Sequence, residues 1–331
     1  MSTLKKLLAI VAVTLFMFSG CDMNSSLNIE DPAFNALTRG SISQVSSFGS
    51  NPGNLAMYKY VPTGISGAAP LVIAMHGCTQ SASQYSGTGW KDMADQYKFY
   101  VVFPEQRSSN NQNRCFNWFE TYDISRGNGE VKSVMSMVDK MKSDYNIDGN
   151  RIYVNGFSAG GYMAPAVFAT YPDVIAGMSV NSGGPYKCAT GMMAAFSCMS
   201  PGKNQSASQW GNLVRNASNY DDQISGKKVI IFHGTMDFTV KDMNATELQE
   251  QWQNVGAVVE KNILSGMGHN VPITSGCGNG TSYTDSGRGI CSAKEAVLFW
   301  GIDNPTGDGD GDGDGDGDGD GDGDGDGDCI D

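Results

Sequence analysis

Hydrophobic and polar positions along the chain form two kinds of pattern: short apolar runs, and longer segments in which apolar residues recur at helical spacing. The apolar runs are rich in β-branched and aromatic residues and predict strands at 71–75, 99–103, 151–155, 175–180, 228–232 and 258–264. Helical spacing predicts helices over 130–145, 161–171, 243–255 and 293–300. Apolar strands that alternate with helices indicate an α/β fold, with a mostly parallel sheet and helices on both faces.

These elements all lie within residues 51–303, and we interpret this segment as a single α/β domain. The preceding segment, 22–50, is rich in Ser and Asn without periodicity and is typical of a flexible tether. The last segment, 304–331, contains a Gly-Asp repeat with no apolar residue to build a core, so we expect disorder there.

The first residues have the pattern of an export signal. Lys5 and Lys6 precede an apolar run over 7–18, and Ser19-Gly20 follows it, so residues 1–21 are predicted to be a signal peptide. The next residue completes Phe18-Ser19-Gly20-Cys21, which resembles a bacterial lipoprotein signal and implies lipidation of Cys21. We expect an extracellular or cell-envelope lipoprotein that meets the membrane only through this anchor, with plain secretion as the alternative.

Export favours disulfide bonds, since they persist in oxidising compartments. Setting aside Cys21 and Cys329 leaves six cysteines: Cys78, Cys115, Cys188, Cys198, Cys277 and Cys291. Six cysteines allow 15 pairings, and the sequence does not choose among them. Closeness along the chain favours Cys188 with Cys198 and Cys277 with Cys291, which leaves Cys78 with Cys115. There is no CxxC motif and the three histidines lie far apart, so we expect no metal site and no cofactor.

The formal net charge is −13, but eleven of the 35 acidic residues lie in the repeat 307–328. The rest of the chain is nearly neutral. The chain has no basic surface, so nucleic acid is excluded as a partner. We also expect the protein to be a monomer.

The repeat contains the Asp-x-Asp-x-Asp-Gly start of a calcium loop. Counting from Asp308, however, Gly319 stands where that loop needs Glu. A plain acidic spacer is therefore expected, with weak calcium association as the alternative.

The sequence Gly156-Phe-Ser-Ala-Gly160 follows a predicted strand and opens a predicted helix, the context of a nucleophile elbow. In such an elbow the serine occupies a strained turn that projects its hydroxyl, and the glycines allow close packing. The following helix directs N–H groups toward developing negative charge. Ser158 is therefore the predicted nucleophile, with an ordinary strand-to-helix loop as the alternative.

A serine nucleophile needs a base, and hydrolases with this elbow order their residues as serine, acid, histidine. His76 precedes Ser158 and is excluded by that order. His233 would need an acid between itself and the serine, and none of the acids there follows a strand end: Asp173, Asp221 and Asp222. His269 lies in a glycine-containing loop after the strand 258–264 and is the predicted base. For His233 we expect a structural hydrogen bond at a strand end.

The acid that orients the histidine should follow a strand between Ser158 and His269. Asp237 lies just beyond the strand 228–232 and is the predicted acid. Asp242 is the reserve candidate, although we expect it to be an exposed residue at a helix start.

The oxyanion hole requires two N–H donors. One is expected to be the backbone N–H of Ala159, directly after the nucleophile, and the other the N–H of Cys78, in the loop after the strand 71–75. A disulfide at Cys78 would hold that donor in place.

Several motifs, taken together, resemble the poly(3-hydroxybutyrate) depolymerase family of esterases, which also includes feruloyl and acetylxylan esterases. They lie at 76–80, 115–119, 126–130, 151–161, 233–237, 268–269, 277–278 and 299–301. The resemblance covers most of residues 55–301. It implies an α/β-hydrolase fold, a Ser158–Asp237–His269 triad and a bridge between Cys78 and Cys115.

The leading hypothesis is a serine esterase that hydrolyses short-chain poly(3-hydroxyalkanoate) polyesters or their oligomers through an acyl-enzyme. The alternative keeps the triad and acts on feruloyl or acetyl esters of plant polysaccharide. A peptidase, or a tethered binding protein with a vestigial site, are further hypotheses. Trp90, Trp118 and Trp210 could serve as platforms for sugar or polymer, although core packing is the expected role of each.

Overall fold

The computed structural model describes residues 40–304. The predicted signal peptide, its lipidation site Cys21 and the Gly-Asp repeat lie outside the described residues. The strands are β1 Ser43–Val45, β2 Ala56–Tyr60, β3 Ala69–Met75, β4 Tyr100–Glu105, β5 Ile147–Phe157, β6 Gly177–Asn181, β7 Lys228–Gly234, β8 Val258–Leu264, β9 Val271–Pro272 and β10 Thr284–Asp285. The helices are α1 Ala82–Tyr85, α2 Trp90–Tyr97, α3 Gly129–Asp144, α4 Ala159–Thr170, α5 Met192–Met199, α6 Ala207–Arg215, α7 Met243–Asn254 and α8 Ser292–Trp300.

Eight strands form one sheet in the order β1-β2-β4-β3-β5-β6-β7-β8. The pairs β1–β2 and β2–β4 are antiparallel, and the other neighbouring pairs are parallel. The short strands β9 and β10 form a separate parallel pair. Because the parallel strands share one direction, their carboxyl ends meet along a single edge, where sites in such folds are found.

The sheet separates two apolar clusters, as the apolar strands predicted. Along β3, Leu71, Ile73 and Met75 belong to one cluster, whereas Val72 and Ala74 belong to the other. This alternation follows from the period of two in a strand. Helices α3 and α4 contribute to the first cluster, and α2 and α8 to the second, so the sheet is covered on both faces.

Two sequence predictions differ from the structure. The tether predicted over 22–50 is wrong for Ser43–Val45, because this segment pairs with β2 as the edge strand β1. The strand predicted over 99–103 continues to Glu105, and Pro104 lies inside β4, opposite Met57. The pairing of β4 with β3 ends at Val102, so beyond that point β4 is paired on one side and tolerates a residue without an N–H.

Three disulfides cross-link the described residues: Cys78–Cys115, Cys188–Cys198 and Cys277–Cys291. They are the pairs that closeness along the chain favoured. The first ties the loop after β3 to the loop after β4, and the second closes the segment from Cys188 to Cys198, which contains most of α5. Both bridges therefore hold loops at the carboxyl edge of the sheet.

Within residues 40–304 no helix is long and apolar enough to cross a membrane. The same residues contain no cluster of three or more His, Cys, Asp or Glu side chains arranged to hold a metal ion.

We predict that Asn155→Leu lowers the free energy of unfolding by about 3 kcal/mol, since unpaired buried polar groups cost about 1–3 kcal/mol each. Asn155 is fully buried, and its Oδ1 accepts hydrogen bonds from the Tyr85 hydroxyl at 2.7 Å and the Trp90 indole N–H at 2.9 Å. Urea denaturation measures the loss. Asn219→Leu at an exposed site is the control and should change stability by less than about 0.5 kcal/mol. Equal effects of the two changes would contradict the prediction.

Candidate active site

Ser158 occupies the turn between β5 and α4, and its backbone is strained, with φ of 54° and ψ of −115°. The neighbouring glycines are required by close backbone contacts. A Cβ at Gly160 would lie 2.3 Å from the carbonyl oxygen of Met75, and one at Gly156 would lie 2.0 Å from the carbonyl oxygen of Gly160. The segment therefore has the geometry of a nucleophile elbow.

The structure brings Ser158, His269 and Asp237 together. His269 Nε2 lies 2.9 Å from Ser158 Oγ, and His269 Nδ1 lies 2.7 Å from Asp237 Oδ2. Because a carboxylate only accepts hydrogen bonds, Nδ1 carries the hydrogen and Nε2 is left to accept the hydroxyl proton of Ser158. This chain of contacts has the arrangement of a Ser-His-Asp triad.

The carboxyl of Asp237 is buried and accepts several hydrogen bonds. Its Oδ1 accepts the backbone N–H groups of Thr239 at 2.9 Å and Val240 at 2.8 Å. Burial by itself would raise the pKa of Asp237, but hydrogen bonds from His233 and His269 and the charge of His269 outweigh it and lower the pKa. Asp237 is therefore ionised at neutral pH and can stabilise an imidazolium.

His233 has a contact that sequence analysis missed. As predicted, this fully buried residue makes a hydrogen bond at a strand end, since its Nε2 lies 2.9 Å from the carbonyl oxygen of Val240. The same nitrogen also lies 3.4 Å from Asp237 Oδ2, on the carboxylate that binds His269. The motif His233-Gly-Thr-Met-Asp237 contained the signal, because both residues follow one strand end four positions apart. The reserve candidate Asp242 is an exposed residue at the start of α7.

Both residues predicted to supply the oxyanion donors lie close to Ser158. Ala159 is the first residue of α4, where helix geometry leaves the N–H without an intrahelical acceptor. Cys78 lines the same cavity as Ser158 and is tied to Cys115. A Cβ added to Gly77 would lie 3.2 Å from Ser158 Cβ, so this loop packs directly against the nucleophile.

The peptide that carries the Cys78 N–H is oriented by His76, for which sequence analysis offered no role. His76 Nδ1 lies 2.7 Å from the Gly77 carbonyl oxygen, and its Nε2 accepts the backbone N–H of Gln106 at 3.1 Å. In a trans peptide the N–H points away from the C=O. Anchoring the Gly77 carbonyl on His76 therefore directs the Cys78 N–H to the opposite side.

A buried polar network continues behind this loop. The side-chain amide of Gln106 donates to Glu130 and, at 3.1 Å, to the carbonyl oxygen of Cys115. The other oxygen of Glu130 accepts the backbone N–H of Asn117 at 2.9 Å. Burial, with the nearby charge of Asp123, raises the pKa of Glu130 well above its usual range. The network joins the segment after β4 to helix α3, and so supports the loop that holds Cys115.

A cavity of about 470 Å³ opens above Ser158. Its lining includes the polar side chains of Thr79, Asn111 and Asn113. It also includes the apolar side chains of Trp118, Phe119 and residues of α5. The three tryptophans considered as platforms for sugar or polymer are all buried, which agrees with their expected role in core packing: Trp90, Trp118 and Trp210. Trp118 also lines the cavity, while stacking on Tyr162 with ring centroids 4.0 Å apart.

Comparison with known proteins identifies the family of the chain. Residues 55–267 match the family model described as esterase PHB depolymerase. The chain is similar to poly(3-hydroxyalkanoate) depolymerase C of Paucimonas lemoignei, with 42% identity over 85% of this chain and 75% of that protein. It is also similar to feruloyl esterase B of Neurospora crassa, with 32% identity over 80% of this chain and 94% of that protein, and to acetylxylan esterase A of Emericella nidulans, with 30% identity over 76% and 81%.

Among solved structures, the acetyl xylan esterase from Aspergillus awamori superposes with a TM-score of 0.67. The match has 23% identity and covers 80% of this chain and all of that chain. At this identity the similarity establishes the fold, which is that of an α/β-hydrolase, as the sequence predicted. The protein is a carboxylic-ester hydrolase of this fold, and the chain belongs to the esterase PHB depolymerase family.

We predict that His76 makes the protein lose stability on acidification. Burial lowers the pKa of His76 from 6.5 to about 4, so between these values the unfolded chain binds a proton that the folded protein does not. Stability therefore falls as pH decreases through this window, by about 2–3 kcal/mol between pH 7 and pH 4.5 from this group.

The variant His76→Asn has no imidazole to titrate and keeps an amide that can donate to Gly77. Urea unfolding at pH 7 and pH 4.5 should show a smaller loss of stability in this variant than in the unmodified protein. The same loss in both proteins would show that His76 is not held neutral by burial.

Proposed function

We propose that this protein is a serine esterase that hydrolyses short-chain poly(3-hydroxyalkanoate) polyesters or their oligomers, with Ser158, His269 and Asp237 as its triad. The observation that carries the proposal is the continuous contact from Asp237 through His269 to Ser158, where His269 and Ser158 line the cavity. The similarity to a poly(3-hydroxyalkanoate) depolymerase over most of the chain supports the substrate class.

In the acylation step, Ser158 Oγ attacks the ester carbonyl carbon while His269 Nε2 takes the hydroxyl proton. The oxygen of the tetrahedral intermediate becomes negative and accepts hydrogen bonds from the N–H groups of Cys78 and Ala159. Collapse of this intermediate breaks the bond to the alcohol oxygen, which leaves with the proton from His269. The acyl group remains bonded to Ser158.

In the deacylation step, water occupies the place of the released alcohol. His269 takes a proton from this water as its oxygen attacks the acyl carbon, and the same oxyanion donors stabilise the second tetrahedral intermediate. Ser158 then leaves with the proton from His269, and the carboxylic acid is released. Asp237 remains ionised in both steps and stabilises the imidazolium, which agrees with the direction of its pKa shift.

The lining of the cavity favours an uncharged ester. Among its described lining residues are no Asp, Glu, Lys or Arg side chains. A hydroxyalkanoate chain consists of ester groups separated by short alkyl groups and carries no charge along its length. Such a chain matches a wall that is partly amide and hydroxyl and partly aliphatic and aromatic.

We predict that Ser158→Ala lowers kcat for ester hydrolysis by several orders of magnitude, because it removes the nucleophile and leaves the oxyanion donors in place. Residues 22–331 expressed in an oxidising compartment would be tested on poly(3-hydroxybutyrate) film, hydroxybutyrate oligomers, methyl ferulate and acetylated xylan. Release of hydroxybutyrate that disappears in the variant supports the proposal. Equal activity of both proteins on every ester would overturn the triad.

The second candidate function is a feruloyl or acetylxylan esterase with the same triad. The similarity to enzymes with these names, at 32% and 30% identity, supports it. The same substrate panel distinguishes the two functions. Preference for methyl ferulate or acetylated xylan over hydroxybutyrate esters would indicate an esterase that acts on plant polysaccharide.

We further propose that the protein is exported and anchored by a lipid on Cys21. Three disulfides among residues 40–304 support export to an oxidising compartment, and the sequence around Cys21 supports the anchor. We predict that Cys21→Ser moves the protein from the membrane fraction to the soluble fraction of its native host, with loss of the lipid mass in mass spectrometry. If the protein that keeps Cys21 is found in the soluble fraction and carries no lipid, the proposed anchor is contradicted.

A further inference from the structure

Helix α5 lies at the mouth of the cavity and turns one face toward it. Met192, Ala195, Phe196 and Met199 all line the cavity, and their spacing of three and four residues places them on a single stripe. Met193 belongs to the same helix but does not line the cavity and is 82% exposed. One face of α5 is therefore directed at the site that holds Ser158.

The helix is held at both ends. Its N-terminal neighbour Gly191 donates its N–H to the carbonyl oxygen of Phe119 at 2.6 Å, and Phe119 is itself part of the cavity wall. Near the C-terminal end, Cys198 is bridged to Cys188. The carbonyl oxygen of Met199 accepts the N–H of Lys241 at 2.9 Å. These contacts present the stripe as a fixed surface, which lowers the entropic cost of binding a ligand against it.

The stripe is apolar, and two of its four side chains are exposed. Met192 is 56% exposed and Phe196 is 59% exposed, although both have large apolar side chains. The segment Met192–Met199 contains no charged residue. Exposed apolar side chains that border a catalytic cavity are typical of a ligand-binding surface. Polar groups that can donate to an ester carbonyl lie in the same lining, on Thr79, Asn113 and Thr239.

We propose that α5 is a binding site for the part of an oligomeric ester that extends beyond the bond being cleaved. This inference rests on the proposed function and adds the element that selects a chain of several ester units over a single small ester. The alkyl groups of the chain pack on Met192 and Phe196, and its carbonyl groups accept hydrogen bonds from the polar side chains of the lining. A small monoester occupies the space next to Ser158 and covers little of this stripe.

The size of the effect follows from the apolar surface that the ligand covers. Each CH₂-sized group removed from water strengthens binding by about four-fold. Truncation of Phe196 to Ala removes several such groups, so the loss for a ligand that covers this ring is about ten-fold or more. Because Phe196 and Met192 are more than half exposed, their truncation removes little core packing.

The test compares kcat/KM for methyl esters of 3-hydroxybutyrate dimer, trimer and tetramer with kcat/KM for p-nitrophenyl acetate. In the unmodified protein, kcat/KM is expected to rise with chain length by about ten-fold or more. Phe196→Ala and Met192→Ala should lower the ratio of tetramer to p-nitrophenyl acetate by a similar factor. Met193→Ala is the matched control, since it removes an exposed side chain of the same helix that does not line the cavity, and its ratio should remain unchanged.

The outcomes separate this inference from the proposed function. A ratio that Phe196→Ala and Met192→Ala leave unchanged, or that Met193→Ala lowers equally, overturns the role of α5 while hydroxybutyrate hydrolysis still supports the proposed function. A kcat/KM that is independent of chain length in the unmodified protein also overturns the inference. If the unmodified protein cleaves methyl ferulate but no hydroxybutyrate ester, the proposed function fails, and the inference fails with it.

Discussion

The strained backbone at Ser158 is the constraint on which the rest of the site depends. A positive φ at a non-glycine residue is unfavourable, and it persists only where the surroundings determine it. Here β5 delivers the chain into the turn, and α4 takes it away between backbone groups so close that Gly156 and Gly160 have no room for a Cβ. The strain places the hydroxyl at the carboxyl edge of the sheet and the N–H of Ala159 beside it.

Everything else in the site is arranged around that fixed oxygen by loops that follow other strands. The loop after β7 brings Asp237, and the loop after β8 brings His269. The loop after β3 brings Cys78, held by a disulfide on one side and by the contact of His76 with Gly77 on the other. Loops are the mobile part of a protein, so a catalytic geometry built on them needs such supports.

The charge state of each buried group near the site depends on the balance between burial and hydrogen bonding. His76 is fully buried and held neutral, which suits a ring that must donate from one nitrogen and accept at the other. Asp237 is buried as well but ionised, because donors converge on both of its oxygens. Burial disfavours the charged form of both groups, and the hydrogen-bond partners determine that Asp237 is ionised while His76 is neutral.

The sequence by itself determined the α/β class and selected Ser158, Asp237 and His269 as candidates, because apolar periodicity and the order of strand ends are properties of the chain alone. It missed the strands β1, β2, β9 and β10 and the helices α1, α2, α5 and α6, because elements of two to nine residues carry too little pattern. It also ended the strand 99–103 before Pro104. Only the tertiary structure decided that His233 touches Asp237, that His76 orients the Cys78 peptide and that α5 borders the cavity. These are contacts between segments distant in sequence or between groups within one turn, and they depend on backbone positions that no local pattern encodes.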